Sequence, residues 1–133
     1  AIARRRALVI TCSYLLSRRP LLGALNDAWN VLSLLRHTLH YREDQVRFVA
    51  DGSAHIRASS HAPTREGILQ GLRFLTEGAQ PGDDVLLYFS GYCTHRPSAS
   101  APGLHEACLV PSDFVEDVDG AVREQLLAAP AAT

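Results

Sequence analysis

Thiol chemistry is the first chemistry this sequence offers: it holds three cysteines, Cys12, Cys93 and Cys108, with His95 two residues behind the second. A cysteine nucleophile works as a thiolate, beside a base that takes its proton and donors that hold the developing oxyanion. Cys93 and His95 are so close in sequence that orienting them as a dyad needs an unusual turn, and the plain reading of His95 is a solvated loop histidine. Cys12 closes an apolar run and reads as a small buried hydrophobe, and Cys108, inside another run, reads as core. Directly before Cys93 stands Tyr92, at the end of Pro81-Gly-Asp-Asp-Val-Leu-Leu-Tyr-Phe-Ser-Gly91. A phenol with an ordinary pKa of about 10 is protonated at neutral pH and cannot readily take a thiol's proton. The odd cysteine count, without close pair spacing, fits reduced thiols better than a disulfide framework or a zinc site, so a cytoplasmic setting is expected.

The elements that must position these groups follow from periodicity. Ala7 to Thr11 is an apolar, β-branched run and reads as a buried strand. Ala28, Leu32, Leu35 and Leu39 then recur at helical spacing, with Asn26 or Asp27 as N-cap. Gln45 to Ala50 reads as strand two, and a Ser/His-rich loop from Asp51 to Ala62 leads to a helix begun near Thr64. Ile68, Leu72 and Leu75 line one face of that helix, and Gly78 stands where a glycine would end it. Val85 to Phe89 is continuously apolar, as in a central strand covered on both faces. An irregular loop, Thr94 to Gly103, precedes a short fourth strand, Cys108 to Val110. Asp119-Gly120 reads as a turn, and Arg123 to Ala129 as the start of a third helix.

Strands alternating with helices imply an α/β fold with parallel strands and helices on both faces of one sheet. Sites in such sheets form at the carboxyl ends of the strands. Chain order therefore puts Cys12-Ser13 and Tyr92-Cys93 on one edge. With 133 residues, 47% of them apolar, the chain is long enough for one domain with a core. A formal charge of −1 argues against nucleic acid or an anionic membrane surface as the partner, and Arg4-Arg5-Arg6 and Arg18-Arg19 read as a solvated rim. No apolar run approaches the roughly 18 residues that cross a bilayer. No glycine-rich phosphate loop follows strand one, which disfavours a nucleotide. The sequence begins at Ala1 without an initiator methionine, so a fragment is expected, from which a targeting segment could have been cut.

Five segments, in one order, resemble the metacaspases, caspase-like cysteine peptidases of family C14. Arg6-Ala-Leu-Val-Ile-Thr-Cys-Ser-Tyr14 resembles the family's first strand, and Gly23-Ala-Leu-Asn-Asp-Ala28 the turn that opens its first helix. Pro63-Thr-Arg-Glu-Gly-Ile-Leu69 with Leu72-Arg-Phe-Leu75 resembles the second helix. Pro81 to Gly91 resembles the third strand, after which the family continues His-Gly, and Glu106-Ala-Cys-Leu-Val-Pro-Ser-Asp-Phe114 resembles the fourth strand and its exit. The resemblance implies a caspase-like three-layer sandwich with a mainly parallel sheet flanked by helices. Residues 1–133 would be one partial catalytic domain, ending before the strand that carries the family's cysteine.

What the resemblance implies for the site is a degenerate one. Tyr92 stands at the catalytic histidine position and Cys93 at the following glycine, in the oxyanion region. Loss of a general acid–base group typically costs about 10²- to 10⁴-fold in rate. The implied function is that of a cysteine endopeptidase homologue without activity, a pseudopeptidase that binds an active paralogue or basic (Arg/Lys) peptide segments. The alternative is an active Arg/Lys-specific endopeptidase in which His95 or Cys12 substitutes. Asp27 matches the family's aspartate for basic side chains. Calcium is the one cofactor the resemblance brings in, but its positions are degraded: Glu106 replaces an aspartate, and Arg123-Glu124 stands where an Asp-Asp pair is usual. Weak or absent calcium binding is expected.

Overall fold

The computed structural model describes residues 3–15, 17–51, 61–116, 122–124 and 127–128. Three parallel strands form the centre in the order β2-β1-β3: β1 (Arg5–Thr11), β2 (Val46–Ala50) and β3 (Asp84–Ser90). Helix α1 (Ala24–Ser33) covers one face and α2 (Arg65–Thr76) the other. Alternation along β1 explains the three layers. Ala7 and Val9 pack with Ala28, Leu35 and Phe48 on the α1 side, while Leu8, Ile10, Cys12 and Tyr14 pack with Ile68 and Leu75 on the α2 side.

Local chemistry sets the helix ends. The Thr64 hydroxyl accepts the Gly67 amide at 3.0 Å and opens α2, and Gly78, at φ +71°, follows its end as expected. Helix α1 opens earlier than the expected Asn26 or Asp27 cap. Its N-cap is Gly23, because the Asp27 amide already donates to the Gly23 carbonyl and Ala24 is needed in the core. A π-helical turn, Leu34–Thr38, extends α1 and keeps Leu35 buried, whereas Leu39 is 41% exposed.

Four further expectations are corrected. Among the described residues β3 is an edge strand, with β1 central; Leu86 and Tyr88 pack under α1, but Val85 and Leu87 are 49% and 37% exposed. The apolar run signals two faces that call for cover, and α2 lies over β1 and β2 more than over β3. Thr94 to Pro97 is not loop but most of strand β4 (Cys93–Pro97), and strand four is β5 (His105–Leu109), antiparallel to β4 rather than part of the parallel sheet. Cross-strand pairs such as Arg96 with Glu106 hold that hairpin although β4 has no apolar alternation. The expected helix start at Arg123 is not found among the described residues: Val122–Glu124 (β7) pairs with Val115–Glu116 (β6), and Leu127–Ala128 (β8) pairs with β5. So short a run is marginal as a helix, and strand pairing engages Val122–Glu124 and Leu127–Ala128 instead. The expected turn at Asp119-Gly120 and most of the loop after Asp51 lie outside the described residues.

Arg4, Arg5 and Arg6 are not merely a solvated rim. Arg4 and Arg6 donate to the Glu77 and Phe74 carbonyls at the end of α2, at 2.8 and 2.6 Å, and Arg5 donates to the Leu39 carbonyl beyond α1. Each also fits its surroundings: Arg5 lies 3.9 Å over the Tyr41 ring, Arg6 4.9 Å over Phe74, and Arg4 pairs with Asp83. One strand start thus caps both helix C-termini, where positive charge is favoured. Arg18 and Arg19 are exposed, as expected of a solvated rim.

Candidate functional site

The carboxyl edge of the sheet gathers Cys12, Ser13 and Tyr14 after β1, Asp51 after β2, and Ser90, which ends β3, with Gly91 and Tyr92 after it. The Cys12 amide donates to the Ser90 carbonyl at 2.9 Å, which brings the first and third groups together as chain order implies. Beyond Cys12, the Asp51 carboxylate turns the chain: one oxygen accepts the Ser13 amide at 2.6 Å and the other the Tyr14 amide at 3.2 Å. Tyr14 is thereby held at φ +52°, uncommon for a residue with a bulky side chain. The Ser17 amide and hydroxyl both donate to the Tyr14 carbonyl, at 2.9 and 2.8 Å.

Tyr14 is the centre of this edge. Its hydroxyl donates to the Val110 carbonyl at 2.6 Å and accepts the Tyr92 amide at 2.9 Å. Its ring stacks on Tyr92, with centroids 5.0 Å apart and planes at 18°, and meets Phe114 edge-on at 5.7 Å and 81°. Burial and the nearby Cys12 raise its phenol pKa. The approach is close enough to exclude a side chain at residue 91: a Cβ on Gly91 would lie 2.7 Å from the Phe89 ring and 2.8 Å from the Tyr14 hydroxyl. Beyond β5 the chain is tied to the start of α2, the Ser112 amide donating to the Pro63 carbonyl and the Arg65 amide to Asp113, both at 2.9 Å.

The sequence-derived candidates separate into three groups. Cys12 and Tyr92 come together around Tyr14, on the α2 side of the sheet. Cys12 is fully buried, and burial followed by the Asp51 charge pushes its thiol pKa up to about 12. Cys93 and His95 are both exposed and lie two residues apart on β4, hence on one face of it. His95 is registered against Ala107 in the hairpin, not carried by a free loop. Cys108 is core as expected, its thiol pKa raised chiefly by burial. Asp27 is exposed in the first turn of α1, on the opposite layer from Tyr92. Glu106 is bound to Arg96 at 2.6 Å across the hairpin, and the Glu124 backbone lies in β7. Among the described residues, no three His, Cys, Asp or Glu side chains converge as metal ligands would.

Tyr14, Asp51 and Phe114 were not singled out by the sequence as site residues. Asp51 had a signal, since it follows strand two on the same edge as Cys12 and Tyr92. Tyr14 had a weaker one, two residues beyond Cys12.

One family matches nearly the whole length of the chain. The description "Metacaspase, peptidase C14 domain" matches residues 5–129. "Metacaspase-1" of Yarrowia lipolytica is 30% identical over 113 residues, which cover 84% of this chain and 24% of that protein. "Metacaspase-1" of Saccharomyces cerevisiae is 32% identical over 89 residues, 67% of this chain and 20% of the relative, and "Metacaspase-1B" of Aspergillus fumigatus 32% over 94 residues, 71% and 22%. The chain spans less than a quarter of the length of these curated relatives.

Proposed function

We propose a function from one premise: this chain belongs to the metacaspase family, peptidase C14. The protein that carries it is a cysteine endopeptidase homologue that has lost hydrolysis at position 92 and retains peptide binding. The observation that carries this reading is Tyr92 itself, a phenol directly after Ser90-Gly91, stacked on Tyr14 and held by its amide. A phenol there lacks the imidazole's ability to take a thiol's proton and hand it to a leaving amine near neutral pH.

The substitutes are poorly suited. Cys12, buried and with its thiol pKa pushed up to about 12, is a protonated thiol at neutral pH, and His95 is fixed on an exposed strand. The ligands in this reading are basic peptide segments or an active paralogue, with Asp27 a contact for the basic side chain. Calcium has no part in it. Glu106 already holds the Arg96 guanidinium, which repels a second cation. The setting in this reading is the cytoplasm, which the three free thiols favour.

The test uses the full-length protein and Arg- or Lys-containing peptides. No hydrolysis by the native protein, together with hydrolysis in Tyr92→His, is the expected result. Hydrolysis by the native protein that disappears in His95→Ala or Cys12→Ala would replace this reading with that of an active Arg/Lys-specific endopeptidase.

A further inference from the structure

We infer that Tyr14 is a positioning residue for position 92, fixing where the side chain there projects whatever its identity. The inference rests on reading position 92 as the base position, and deepens it. Four contacts converge on Tyr14. Its hydroxyl accepts a hydrogen bond from the residue 92 amide at 2.9 Å and donates one to the Val110 carbonyl at 2.6 Å, so one oxygen ties the end of β3 to the end of β5. Its ring forms a 5.0 Å platform under the side chain of residue 92. Phe114 closes on the platform's edge at 5.7 Å. Gly91 leaves the hydroxyl room, because a Cβ there would sit 2.8 Å from it.

The platform is itself held from outside the 92 segment. Asp51 receives the Ser13 and Tyr14 amides, and Ser17 donates twice to the Tyr14 carbonyl, which together stabilise φ +52°. None of these bonds involves the phenol of Tyr92. Exchanging Tyr92 for another planar ring would leave every one of them in place. An imidazole introduced by Tyr92→His would therefore start from the same amide anchor and lie on the same platform.

The test is amide hydrogen exchange in the full-length protein, read at residue 92 against the Cys12 amide, which donates to Ser90. In the native protein the Tyr92 amide is expected to be protected to a degree comparable with Cys12. In Tyr14→Phe, which keeps the ring and removes the hydroxyl, it should exchange at least about tenfold faster while Cys12 is unchanged, because this amide loses its part-buried acceptor. Ring resonances of selectively labelled Tyr92 should stay near their native positions in Tyr14→Phe and move in Tyr14→Leu, which removes the platform. An unprotected Tyr92 amide in the native protein overturns the inference without any variant. So does a uniform acceleration of both amides in Tyr14→Phe, which marks general destabilisation. None of these readouts depends on hydrolysis: activity in the native protein would sink the pseudopeptidase reading and leave the exchange result standing, and the reverse holds equally.

Discussion

The two ends of the parallel sheet are secured in opposite ways. At the amino end, three consecutive arginines each bond a helix C-terminus, and Arg4 adds Asp83; the groups are only half-buried and the bonds are distributed. At the carboxyl end the contacts around position 92 converge on one residue, Tyr14, which is buried and whose hydroxyl both accepts and donates. A distributed, solvated end loses little when one member is removed, because water replaces the missing partner. A concentrated, buried end loses much, because the groups left behind have no other partner. Position 92, on which the proposed function turns, belongs to the second end. A site needs side chains held by their neighbours, as Tyr14 is held there.

Breaking the carboxyl end should therefore cost most. Gly91→Ala is expected to destabilise by about 3 kcal/mol, since its Cβ would meet Phe89 and Tyr14 at under 3 Å in a packed region. Thermal unfolding would check it, and an unchanged melting temperature would show that the Tyr14 platform yields. Asp51→Ala comes next, at about 2 kcal/mol, because it strips the Ser13 and Tyr14 amides of their acceptor beside a residue at positive φ. Urea midpoints would measure it. Arg6→Ala, at the other end, should cost only about 1 kcal/mol for one capping bond and the lost contact with Phe74. Should Arg6→Ala cost as much as Asp51→Ala, the contrast between the ends would be wrong.

That contrast also separates what was legible in the sequence from what was not. β1, β2 and α2 stood out because their patterns are local, an apolar run or a Thr64 cap with Gly78 beyond the helix. The edge shared by Cys12 and Tyr92 was legible too, since parallel topology puts the ends of β1 and β3 together. The β4–β5 hairpin was not: its strands carry no apolar alternation, and Arg96 finds Glu106 only once the turn has formed. Nor were the arginine caps, because a carbonyl needing a donor at Phe74 leaves no mark near residue 6. Tyr14 was overlooked for the same reason, its partners lying 78 and 96 residues away.

The smallest effect, and the one most specific to the amino end, is a pH dependence at Asp83. Its carboxylate accepts the Gln80 and Arg4 amides, both at 2.9 Å, and these bonds, helped by the Arg4 charge, hold its pKa below the ordinary carboxylate value. A depressed folded pKa means that the unfolded chain binds the proton more readily. The stabilisation is then complete above the unfolded value of about 3.9 and is lost as pH falls through the lower, folded one. The difference in urea midpoint between the native protein and Asp83→Asn should accordingly be constant from neutral pH down to about 5, shrink below about 4, and vanish once both states are protonated. A difference that persisted undiminished in strong acid would mean that Asp83 acts through shape, not charge. The amino end would then be secured by fixed geometry, as the Tyr14 end is.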